Sequence, residues 1–102
     1  MQLIDKIAIV TGSSRGFGAR IAEHLSEQGA NVVVSYFRED EAEKQNAQAV
    51  AERIKADLVL PLDVRDRKSV RQMMQTTHAK YGRIDILVNN AGINIVGDFD
   101  KI

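Results

Sequence analysis

At 102 residues, with 44% apolar and 27% charged side chains, the chain fits one globular domain with a modest core, and the composition argues against disorder. Lys and Arg number 14 against 14 Asp and Glu, so no basic excess points to nucleic acid as a partner. With no cysteine, disulfides, thiolate metal sites and a cysteine nucleophile are excluded; the apolar runs are only strand length, so no membrane association is expected.

Taken in chain order, Met1 to Lys6 has no basic region followed by a long apolar stretch, so a cytosolic location is expected. Ile7 to Val10 is a β-prone run, and Ile21, Ala22 and Leu25 recur at helical spacing, which predicts a helix from Gly16 to Gln28 that stops at Gly29. Val32 to Val34 reads as a second strand. Glu39 to Lys55 reads as a second helix, with Ala47, Val50, Ala51 and Ile54 on one face and Glu39-Asp40-Glu41 as its acidic first turn. Leu58 to Leu62 is a third strand, and Pro61 within it suggests a sheet edge. A third helix begins at Asp66 or Arg67, carries Val70, Met73, Met74 and Thr77 on one face as core, and ends at Gly82. Ile84 to Val88 is the fourth strand, and Asp98 could cap a further helix.

Strands alternating with helices imply right-handed crossovers and hence an α/β fold: a Rossmann-type parallel sheet with helices on both faces, four strands in the order 3-2-1-4. Such a sheet is incomplete. Its fourth strand would present an unpaired edge, so self-association into a homo-oligomer is expected.

Between the first strand and first helix runs Val10-Thr11-Gly12-Ser13-Ser14-Arg15-Gly16-Phe17-Gly18. Gly12 can take unusual backbone angles, Gly16 lets a phosphate approach the backbone, and Gly18 lets the helix lie close to the strand. The helix N-terminus then presents unpaired N–H groups and positive dipole to an anion. Candidate cofactor contacts here are Gly12, Ser14, Arg15, Gly16, Phe17 and Gly18; the competing reading is an ordinary glycine-rich loop. The end of the second strand, Ser35-Tyr36-Phe37-Arg38, adds Tyr36 and Arg38. No carboxylate directly follows Val34, and Arg15 and Arg38 could grip a 2′-phosphate, so NADP is expected over NAD. The alternative has Glu39 or Asp40 folding back to the ribose, with Arg38 a solvated charge. Asp63 immediately follows the third strand, where ligands of such sheets sit; capping the third helix is its other possible role, for which Asp66 competes. His24 and His78 have no second histidine or cysteine nearby, so surface positions or partly buried packing are expected and metal is not.

With Thr11 before the first glycine, Asp63-Val64 after the third strand and Asn89-Asn90-Ala91-Gly92 after the fourth, the sequence resembles the short-chain dehydrogenase/reductase family. The resemblance runs from Leu3 to Ile102, and its wording is most similar to the 3-oxoacyl-(acyl carrier protein) reductase branch. It implies that Asp63 and the Val64 N–H recognise adenine, that Asn89 braces neighbouring backbone, and that Asn90, Ala91 and Gly92 line the nicotinamide ribose. It further implies hydride transfer between NADP(H) and a ketone or secondary alcohol, with small molecules or 3-oxoacyl thioesters as substrates. Family members run to about two and a half times this length, as a complete doubly wound fold requires; residues 1–102 thus read as a truncated N-terminal dinucleotide-binding part. The family's catalytic serine and Tyr-x-x-x-Lys pair have no counterpart here, because Tyr36 is followed at the fourth place by Asp40 and Tyr81 by Asp85. The chain alone is expected to bind without turnover. A second reading is a stand-alone nucleotide-binding or assembly module that completes its sheet with another chain.

Overall fold

The computed structural model describes residues 2–14, 16–37 and 40–89, together with the backbone of 94–97. The element order is β1 (Ile7–Val10), α1 (Gly16–Glu27), β2 (Asn31–Phe37), α2 (Glu41–Ile54), β3 (Leu58–Leu62), α3 (Arg67–Tyr81), β4 (Ile86–Asn89) and β5 (Asn94–Gly97). The strands form one sheet in the order β3-β2-β1-β4-β5. All pairings among β3, β2, β1 and β4 are parallel, as the crossover rule predicts.

Three expectations for the strands are corrected, the start of β4 among them. β4 does not carry a free edge, because β5 pairs with it antiparallel, Ile86 against Gly97 through Asn89 against Asn94. The sheet therefore has five described strands, and the argument for self-association through an exposed β4 loses its basis. In addition, β2 runs three residues beyond Val34, to Phe37, because its pairing with β3 continues to Phe37 opposite Leu62. β3 is an edge, and Pro61 sits within it opposite Tyr36.

Alternation along the central strands sorts their side chains between two faces. On one face Ala8, Val10 and Val32 pack with Ala22 of α1, while Val34 and Tyr36 pack with Ala47, Val50 and Ala51 of α2. On the other face Ile9, Val33, Leu62 and Ile84 pack with Met73 of α3. Burying each Val or Ile contributes roughly 1.5–3 kcal/mol. Helices of 12–15 residues are marginal by themselves, so this packing holds them in place. Asp40 caps α2 by accepting from the Glu43 N–H, and Asp66 caps α3 by accepting from the Lys68 N–H.

β4 starts two residues later than the apolar run suggests, because Asp85 joins β1 through its side chain. Its Oδ2 accepts from the Ile7 N–H at 2.8 Å, while its own N–H donates to the Ile7 carbonyl at 2.9 Å. Burial raises the Asp85 pKa, but the Arg83 hydrogen bond, the Ile7 N–H and the charges of Arg83 and Lys6 outweigh it and hold the carboxyl below its ordinary value. A lowered folded-state pKa stabilises the fold above the unfolded value of about 3.9 and loses that contribution as pH falls through the folded value. Wild type should therefore lose stability more steeply than Asp85→Asn below about pH 4. Urea melts at pH 7 and pH 3 check this, and equal losses in both proteins would refute it.

Candidate nucleotide site

The carboxyl ends of β1, β2 and β3 converge on the glycine loop, where a doubly wound sheet binds ligands. Gly12 adopts φ +63 and Gly16 φ +60, both left-handed. Space beside Gly16 is open, with nothing within 4 Å of where a Cβ would stand, so a ligand can approach its backbone. Gly18 is the opposite case. A Cβ there would lie 2.1 Å from the Gly12 carbonyl oxygen, so the close approach that demands a glycine is helix to loop rather than helix to strand. An open backbone at the first residue of α1, with the helix dipole behind it, suits the diphosphate of a dinucleotide.

A serine pair that sequence reasoning missed fastens this loop to β2. Ser35, fully buried, donates from Oγ to the Val10 carbonyl at 2.9 Å and accepts from the Gly12 N–H at 3.2 Å. Its own N–H donates to Ser13 Oγ at 2.8 Å. On the other side Thr11 Oγ1 approaches the Val88 carbonyl at 3.3 Å and Asn89 Oδ1 at 3.4 Å, sharing its one proton between them. The loop is thus anchored to both strands that flank β1. Ser14, a candidate phosphate contact, donates its hydroxyl to Glu43 in the first turn of α2. Phe17 is exposed on the first turn of α1.

Beside the loop lies a cavity of about 260 Å³ lined by Thr11, Gly12, Ser35, Tyr36, Phe37, Leu62, Asp63, Val64 and Arg65. It brings together the predicted residues Gly12, Tyr36, Asp63 and Val64. Asp63 does not cap α3, since Asp66 does; the Asp63 N–H instead donates to Ser69 Oγ at 2.9 Å, tying the end of β3 to α3. Its carboxylate is only 9% exposed and accepts from Arg65 three times: backbone N and Nε on Oδ1 at 3.0 Å each, and a terminal guanidinium nitrogen on Oδ2 at 3.1 Å. The same guanidinium lies 5.5 Å from the centre of the Phe37 ring. Arg65 is a third residue that sequence reasoning missed. Arg15, Arg38, Asn90, Ala91 and Gly92 fall outside the described residues.

A wider hollow lies elsewhere, about 880 Å³ along α3, lined by Val70, Met74, His78 and Ile84 among others, and shares only Val64 with the cavity beside the glycine loop. His24 and His78 are both exposed, His24 lying 3.8 Å from Glu27. Among the described residues no group of three or more metal-ligating side chains is gathered, and no helix is long and apolar enough to cross a membrane.

Comparison with known proteins places this geometry in a family. Residues 6–102 match the family model for short chain dehydrogenase. The 3-oxoacyl-(acyl-carrier-protein) reductase FabG of Staphylococcus aureus is 42% identical over 94 residues, covering 88% of this chain and 37% of that protein. The short-chain dehydrogenase/reductase FrzI of a Cladobotryum species is 43% identical over 95 residues, covering 89% of this chain and 35% of that protein. A dehydrogenase/reductase structure from Sinorhizobium meliloti 1021 superposes with a TM-score of 0.78 at 38% identity, covering 87% of this chain and 35% of that one. An enoyl-(acyl-carrier-protein) reductase from Anaplasma phagocytophilum, solved in complex with NAD, does so with a TM-score of 0.78 at 27% identity, covering 87% and 34%. The chain spans little more than a third of the length of these relatives. It belongs to the short chain dehydrogenase family.

Proposed function

We propose that residues 1–102 form the cofactor-binding front portion of a reductase that transfers hydride between NADP(H) and a ketone or secondary alcohol, with 3-oxoacyl thioesters as the substrate class. The observation that carries this reading is the cradle itself: an open left-handed Gly16 at the head of α1, with Gly18 pressed onto Gly12. The named activity of the FabG relative supports the substrate class.

In this reading the nicotinamide supplies the hydride, and the chain's own residues bind and orient. Gly12 to Gly18 and the α1 N-terminus hold the diphosphate, and Ser14 reaches it once its hydroxyl turns away from Glu43. Asp63 and the Val64 N–H take the adenine edge, Tyr36 walls the cavity, and the Asn90-Ala91-Gly92 backbone lines the nicotinamide ribose. Arg15 and Arg38 grip the 2′-phosphate. The chain alone binds without turnover, because neither Tyr36 nor Tyr81 has a lysine four residues on.

The test is a fluorescence titration of NADPH and NADH against wild type, Arg15→Ala and Arg38→Ala. A charge-assisted hydrogen bond is worth roughly 1.5–3 kcal/mol, so each variant should weaken NADPH by about tenfold to a hundredfold while NADH barely changes. Equal losses for both cofactors would mean that the arginines support the loop. Tighter NADH binding by wild type would overturn the choice of NADP.

A further inference from the structure

We infer that Arg65 is a specificity-determining residue that reads the 2′ position of the bound adenosine, exchanging its ion pair with Asp63 for the 2′-phosphate. The inference rests on the nucleotide-binding reading above and adds to it a residue whose sequence position gave no hint of the role.

Three observations carry it. The first is place. Pairing of β2 with β3 sets Phe37 opposite Leu62, so the turn Asp63-Val64-Arg65 emerges beside the end of β2. In a doubly wound sheet that strand end is where the ribose 2′ group is read, by a carboxylate for a hydroxyl or by an arginine for a phosphate. The Arg65 guanidinium lies over Phe37 at this end.

The second is size. A drug-sized ligand fills on the order of 300–1,000 Å³, so the cavity of about 260 Å³ suits the adenosine end of a dinucleotide rather than the whole. Arg65 and Phe37 line it as exposed residues, Asp63 and Tyr36 as buried ones.

The third is competition. Arg65 engages both oxygens of Asp63, the carboxylate that takes the adenine edge in the proposed function. The Arg65 side chain is 75% exposed and its head can swing, whereas Asp63 is held in the wall. A guanidinium fork fits a phosphate as well as it fits a carboxylate, and a phosphate monoester brings more charge. A 2′-phosphate therefore draws Arg65 outward and leaves the Asp63 carboxylate oxygens to the purine. Without that phosphate, Arg65 stays on Asp63 and competes with the purine for it. One residue thus raises affinity for the phosphorylated nucleotide and lowers it for the plain one.

Calorimetric titration with 2′,5′-ADP and with 5′-AMP tests this, because both probes lack the nicotinamide half. Arg65→Met should weaken 2′,5′-ADP by about tenfold or more and leave 5′-AMP unchanged or tighter. Arg65→Lys, which keeps the charge without the fork, should fall between wild type and Arg65→Met for 2′,5′-ADP; it is judged by the same contrast if Arg65→Met melts below the titration temperature. Equal weakening of both probes, no change in either, or a wild type that prefers 5′-AMP would overturn the role of Arg65 while leaving nucleotide binding intact. A folded wild type that binds neither probe would overturn the nucleotide reading itself, and this inference with it.

Discussion

Gly18→Ala should cost about 3 kcal/mol of stability and abolish nucleotide binding. The added Cβ would stand 2.1 Å from the Gly12 carbonyl oxygen, 2.8 Å from its carbon and 3.0 Å from Ser13 Cα, all backbone atoms that no rotamer change can move. Relief requires α1 to lift from the loop, which disturbs the packing of Ala22 against Ala8 and Val10. In a domain of this size such a loss lowers Tm by roughly 12 °C or more. Gly16→Ala is the informative contrast. Its Cβ would meet nothing within 4 Å, so only the left-handed backbone is penalised, by about 1–2 kcal/mol. That variant should stay folded yet bind nucleotide poorly, since the methyl occupies the ligand's approach. Thermal melts and titrations of both variants check the pair, and a Gly18→Ala protein that melts with wild type would contradict the close packing described above.

Ser35→Ala carries the second large effect. The hydroxyl is fully buried, donates to the Val10 carbonyl and accepts from the Gly12 N–H, so its removal takes that partner from the carbonyl of the buried Val10 and from the part-buried Gly12 N–H. A loss of about 1–3 kcal/mol is expected, with weaker nucleotide binding as the glycine loop loosens. Ser13→Ala should cost less on its own. Because Ser13 and Ser35 share one network, the two losses should couple by roughly 0.5–3 kcal/mol in a double-mutant cycle. Strictly additive losses would mean that the serines do not brace the loop as a unit.

Much of the fold was legible because its signals are local. Ile7 to Val10 and Leu58 to Leu62 are apolar runs whose limits match β1 and β3, and the crossover rule then orders the parallel strands. Pro61 marked an edge because a proline cannot donate to a second neighbour. Asp66, not Asp63, caps α3, a choice that became visible once the helix start was fixed at Arg67. β5 escaped notice because Asn94–Gly97 is only four residues and turns back antiparallel, which no crossover rule anticipates. Ser35 interrupts an apolar run and so shortened the reading of β2, although it is buried through its hydrogen bonds. In the site, the glycines announced themselves by spacing. The contacts of Arg65 with Asp63 and of Glu43 with Ser14 depend on how a turn or a separate helix is placed in space, and their residue types carry no periodic signal.

The most direct measurement is a map of backbone amide shifts as NADP⁺ is titrated into the isotopically labelled protein. Seating of the diphosphate on the glycine loop and of adenine beside Asp63 predicts saturable shifts at Gly12, Ser13, Ser14, Gly16, Gly18, Asp63 and Val64, with the amides of Met74 and His78 on α3 unmoved. Shifts confined to the α3 surface, or none at millimolar nucleotide in a folded protein, would contradict the account.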